Sequence, residues 1–228
     1  NTLAEFGSIY WHCIAGQTVF PVQVSVTHQI PLIIWGAHQG VEQVGMFSHQ
    51  NEVEMTRRHR KDHDLMGKEA DDLIKIFNTL NEEDVFQYRY PSDFDLNNVG
   101  VRGIYLSNFI RWDPIAQHEE MVQRYRFRTK QFERTFDTYD FVDSHNYMGI
   151  HDTLKLFKHG YSKVTDHASR EIRHGRISRE QGASIVRHYE QEKITGISLF
   201  ADWLGTNSNS LNWVMNTHRN RFYWKETG

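Results

Sequence analysis

The stretch that most constrains this chain is Thr165 to Gly182, TDHASREIRHGRISREQG. Asp166 suits a helix N-cap, and Ala168 and Ile172 fall four residues apart on one inward side. Gly175 is placed to end that helix in a left-handed turn. Ser178 followed by Gln181 is a capping box that opens a second helix. A helical hairpin follows from these signals. Across its turn stand Arg170, Arg173, Arg176 and Arg179, with Glu171 and Glu180 the acidic residues beside them. Lys163, His167 and His174 add donors. Guanidinium groups gathered at two helix ends suit a phosphate or carboxylate, which takes bidentate forks from Arg. The alternative is a solvated hairpin whose arginines pair with nearby Asp and Glu.

Two strands are expected. Ile30 to Trp35, IPLIIW, is a nearly continuous apolar run of the kind buried on both faces of a parallel sheet. It ends at Gly36-Ala37-His38-Gln39-Gly40. Open α/β sheets bind ligands beyond the carboxyl ends of their strands, which makes Gly36, His38, Gln39 and Gly40 candidates. The two glycines serve equally well to shape a turn. Val101 to Phe109 reads as the second strand, with Asn108, Arg111, Trp112 and Asp113 at its end.

Helices fill most of the rest. Leu3 to His28 has helical spacing, and Pro21 predicts a kink or break within it. His59 and His63, four residues apart, lack a third ligand at a characteristic spacing, so a solvated helix face is expected and no metal site. Lys68 to Leu80 is amphipathic. Asp113-Pro114 opens a helix running to about Arg126. Thr129 to Tyr147 reads as loops that carry contacts. Helices are expected over His151–His159, closed by Gly160, then from Arg179 to Glu192, near Ile197 to Leu204, and after the capping segment TNSNS. The order predicts an α/β region over 1–113 and a helical region over 114–228.

Composition narrows the partners. With 39% hydrophobic residues among 228, the chain can bury a sizeable core. A net charge of −3 argues against bulk nucleic-acid or membrane-surface binding, while leaving room for a local basic pocket. One cysteine, Cys13, excludes an internal disulfide and fits a reducing cytosol. No apolar run approaches the roughly 20 residues of a membrane span. A cytoplasmic location is expected.

The segments IPLIIWGAHQG, YLSNFIRWD and KHGYSKVTDHASREIRHGRISREQG resemble the C-terminal two-thirds of the N-acetyl sugar amidotransferases of bacterial surface-polysaccharide and nonulosonic-acid biosynthesis. The resemblance implies a PP-loop ATP pyrophosphatase on a doubly wound, adenine-nucleotide-hydrolase-like parallel sheet, present in part, with a helical C-terminal region on the substrate side. It implies conversion of a sugar acetamido group to an acetamidino group, in O-antigen lipopolysaccharide or a related surface glycan. ATP with Mg2+ adenylylates the amide oxygen, and ammonia displaces AMP. The implied partners are a nucleotide-activated diacetamido sugar acid and the glutaminase and cyclase-like subunits that supply ammonia. The chain departs from the family in two respects. It contains no SGG, so the family's SGGKDS-like PP-loop is missing, and it lacks the N-terminal cysteine cluster, an expected zinc site. With Asn1 in place of Met, it reads as a fragment, and catalysis by this stretch alone is not expected.

An amide is a poor electrophile. The enzyme must join two anions and stabilise charge on the α-phosphate and the leaving pyrophosphate, which preorganised cations do well. Arg170, Arg173 and Arg176 are the first candidates for phosphate or uronate contacts, followed by Lys163. His167 is a candidate phosphate donor or proton shuttle. Gly36, His38, Gln39 and Gly40, with Asn108 and Arg111, are candidates for the nucleotide or sugar-amide side. Two other readings stay open: a PP-loop enzyme of RNA-base thiolation or amidation, and a non-catalytic protein that binds nucleotide-sugar or glutaminase. The RNA version is disfavoured by the absence of a net basic charge.

Overall fold

The computed structural model describes residues 1–37, 53–139 and 147–225. The chain divides into two compact units, Tyr10–Asp113 and Asn1–Ile9 joined with Pro114–Gly228. The helices are α1 (Thr2–Phe6), α2 (Trp11–Thr27), α3 (Arg57–His59), α4 (Ala70–Ile76), α5 (Glu82–Val85), α6 (Asp93–Val99), α7 (Pro114–Tyr125), α8 (Met148–His159), α9 (Lys163–Arg173), α10 (Arg179–Glu190), α11 (Ile197–Trp203) and α12 (Ser208–Thr217). The strands are β1 (Leu32–Trp35) and β2 (Arg102–Tyr105). Among the described residues the fold is thus mixed α/β, mostly helical, with one small parallel sheet.

In the Tyr10–Asp113 unit, α2 buries Trp11, Ala15, Thr18, Val19, Val22 and Ser25, a spacing that keeps one face inward over its whole length. Trp11 is almost fully buried, and its indole N–H donates to the Leu65 carbonyl at 3.1 Å. Of the kink or break expected at Pro21, the break does not occur: α2 runs through it. A buried stripe that continues on both sides of the proline offsets its one missing hydrogen bond. The chain breaks earlier, at Gly7, whose φ of 59° ends α1.

β1 and β2 pair in parallel, Leu32 opposite Arg102 and Trp35 opposite Tyr105. β2 is shorter than expected, because the chain turns into a 3-10 segment at Leu106–Asn108. Nor is β1 buried on both faces: Leu32 and Ile34 are about half exposed. The opposite face carries the buried Gly103 and Tyr105. A Cβ on Gly103 would lie 3.0 Å from Met55 Cε, so glycine is what lets Met55 close over the strand.

In the other unit, α9 and α10 form the expected hairpin. Gly175 takes φ 70°, and Ser178 and Gln181 exchange both capping-box hydrogen bonds. Gly182 on α10 lies against Ile172 of α9. The start of α9 differs from expectation. Its N-cap is Ser162, and Asp166 sits in the first turn, buried, where it takes the Lys155 ammonium. Ile150, Leu154, Val164, Ala168, Phe200, Leu211 and Met215 make the apolar core. Asn207 caps α12 by accepting the Ser210 N–H at 2.9 Å.

Candidate functional site

A polar cluster within the second unit is built on the segment 130–137, which has no regular structure yet buries Phe132, Arg134, Thr135 and Asp137. Buried polar groups must find partners, and these find them on α8, α9 and α10. Arg134 Nε donates to Asp152 Oδ2 at 2.7 Å. Its Nη1 donates to the Glu190 and Glu192 carbonyls at 3.2 and 2.5 Å, satisfying the C-terminal end of α10. Asp152 Oδ1 accepts the Lys163 backbone N–H at 2.6 Å, so a carboxylate on α8 caps the first turn of α9. Ser162 is thereby released from capping, and its hydroxyl donates to Glu190 Oε1 at 2.9 Å.

Beside this ion pair lies a cavity of about 230 Å3. Lys130, Arg134, Asp152 and Lys163 supply charge to its wall, and Phe132, Met148 and Leu199 supply apolar surface. Glu133 also lines it, accepting the backbone N–H of Thr195 at 2.8 Å together with the Thr195 hydroxyl. Next to Asp152 on α8, burial pushes the His151 imidazole down to about 3, reinforced by Lys163, Lys158 and Lys155. Burial also lowers Lys155, against the pull of Asp166.

Lys163, His167 and Arg170, three of the residues singled out from the sequence, follow one another along the inner side of α9. Lys163 lines the cavity. His167 is 1% exposed, with Nδ1 2.6 Å from Thr135 Oγ1. Arg170 is 3% exposed. Its Nη2 donates to Asp137 and its Nε to Glu171 at 2.8 Å. Arg176, across the turn, donates from Nη1 to the other oxygen of Glu171 at 3.0 Å. Arg170 and Arg176 are thus tied to carboxylates, as the pairing alternative has it. Arg173 is exposed.

The remaining candidates lie in the other unit. Gly36 is exposed just past β1. His38, Gln39 and Gly40 lie outside the described residues. Asn108 donates to the Val53 carbonyl at 3.1 Å, and Arg111 is exposed. The His59 and His63 rings lie 4.4 Å apart, and among the described residues no three His, Cys, Asp or Glu side chains are arranged to hold a metal. No helix of the described residues is long and apolar enough to cross a membrane.

Sequence reading missed Arg134, Asp152, Thr135 and Asp137. Apart from the Lys163 N–H on Asp152, 11 residues away, the partners named above are 18 to 58 residues distant, so no local spacing marks them. A comparison with curated proteins returned no match. Residues 133–228, which hold the whole Arg134–Asp152 cluster and most of the cavity wall, match the family model described as LPS biosynthesis protein WbpG-like, C-terminal domain. Over these residues the chain is similar to a lipopolysaccharide-biosynthesis protein, and the match supports a role in surface-glycan biosynthesis.

Proposed function

We propose that this chain is the sugar-side part of an ATP-dependent amidotransferase that converts the acetamido group of a nucleotide-linked sugar acid into an acetamidino group. The match of residues 133–228 to a lipopolysaccharide-biosynthesis family carries this reading, together with the family resemblance of the longer motifs. On this reading the β1–β2 pair belongs to a wider doubly wound sheet. The half-exposed Leu32 and Ile34 favour it, because parallel strands are normally covered on both faces.

The reaction balances as follows. The amide oxygen attacks the α-phosphate of ATP, and pyrophosphate leaves. Ammonia attacks the activated carbon and gives up a proton. AMP departs with the former amide oxygen, leaving an amidine. The chain's own part is to bind and orient the sugar. Lys163 faces the cavity where the ring would sit. Arg173, an exposed arginine of the hairpin, is available to the nucleotide phosphates. Arg170, His167 and Asp137 hold the hairpin in register from within. The pyrophosphate-binding element and any Mg2+ or zinc site are assigned to the rest of that enzyme, and ammonia to a partner glutaminase.

The test is AMP release by the full-length protein carrying this chain. Release that requires a UDP-linked diacetamido uronic acid and ammonia together supports the reading. AMP release without the sugar, or none with all components and a glutaminase present, rejects it.

A further inference from the structure

We propose that the cavity beside Arg134 is a carboxylate subsite, which takes the acid group of a sugar-acid ring through the unused edge of the Arg134 guanidinium. The inference deepens the reading above and rests on it for the identity of the ring. It comes from a count of donors. Arginine offers five N–H groups in a fixed fork. In Arg134 three are used: Nε on Asp152, and Nη1 on the Glu190 and Glu192 carbonyls. Nη2 is buried and has no hydrogen-bond partner among the described residues.

Asp152 explains why. A carboxylate beside Nε would ordinarily close the fork with its second oxygen on Nη2. Here that oxygen is diverted to the Lys163 backbone N–H. The acceptors of the wall are likewise engaged: Glu133 takes the Thr195 N–H and hydroxyl. Lys130 and Lys163 add two ammonium groups. A wall whose acids are occupied and which keeps a guanidinium edge in surplus suits an anion. Phe132, Met148 and Leu199 suit the C–H face of a ring. A carboxylate on a pyranose meets both requirements within about 230 Å3. Nη2 is closed off from water, so the ligand reaches it only when neighbouring side chains shift. Leu199, a wall residue 61% exposed, has room to do so.

The test is isothermal titration of the full-length protein with N-acetylglucosaminuronic acid and with N-acetylglucosamine, which differ at the acid group. The acid should bind at least tenfold tighter. Arg134→Lys should bring the ratio close to one. Leu199→Trp, which fills the mouth without touching the ion pair, should weaken the acid at least tenfold with the melting temperature unchanged. Equal affinity for the two sugars, no binding of the acid, or acid binding untouched by Leu199→Trp would overturn the proposal. Sugar-dependent AMP release from a protein without acid preference would remove this inference and leave the amidotransferase reading standing. Acid preference without AMP release would do the reverse.

Discussion

The carboxylate of Asp152 joins two elements at once: Oδ2 accepts from Arg134 Nε at 2.7 Å, and Oδ1 accepts the backbone N–H of Lys163 at 2.6 Å. Both side chains are at least nine-tenths buried. Removing one partner of a buried pair strands the other charge, which costs about 3–5 kcal/mol. Asp152→Ala should lower the unfolding free energy by that amount in urea titration. Asp152→Asn keeps an acceptor for Lys163 and should lose less.

Arg170 and Arg173 stand three residues apart and should behave oppositely. Arg170 is enclosed by Asp137 and Glu171, so Arg170→Ala should destabilise by about 3–5 kcal/mol. Arg173 is exposed, and Arg173→Ala should cost less than about 1 kcal/mol while, on the proposed function, lowering AMP release by the full-length protein. Thermal melts of the two variants beside activity assays decide this. A large stability loss in Arg173→Ala with activity retained would remove Arg173 from the site.

At Gly175 the backbone has φ 70°, and an added Cβ would meet nothing within 4 Å. Only the left-handed conformation itself is penalised. Gly175→Ala should therefore cost about 1–2 kcal/mol, and Gly175→Asn less, measured by chemical denaturation.

His151 gives the protein an acid-side weakness. Its folded value lies near 3, below the ordinary value of 6.5, through burial and then through Lys163, Lys158 and Lys155. Below pH 6.5 the unfolded chain takes up a proton that the folded chain refuses, so stability falls as pH drops from 6.5 toward 3. The slope is at most about 1.4 kcal/mol per pH unit. His151→Gln should lose about 1–2 kcal/mol less than the parent between pH 7 and 5. Parallel acid limbs in the two proteins would exclude His151 as the cause.

The parts of the fold legible in the sequence are those encoded within a few residues. Gly175 and the Ser178–Gln181 box announce the hairpin, because a left-handed turn and a reciprocal cap need only their own neighbours. The two strands appear as apolar runs. Their burial does not, since the exposure of Leu32 and Ile34 depends on what packs over them. Asp166 has the chemistry of a cap, and only the structure reveals that Lys155 claims it while Ser162 starts the helix. The Arg134 cluster was least visible: an arginine in an irregular segment gives no hint that it ends α10 and anchors Asp152. The hairpin arginines were readable as a group. Which of them are internal and which are free for a ligand depends on Asp137, a residue from another part of the chain.

On the proposed function, a sugar acetamido oxygen is exchanged for nitrogen. Incubating the full-length protein with ATP, a UDP-linked diacetamido uronic acid and nitrogen-15 ammonia tests it directly, read by mass spectrometry and NMR of the sugar. One labelled nitrogen in a new amidino group is expected for each AMP formed. AMP formed while the sugar stays unlabelled would contradict it.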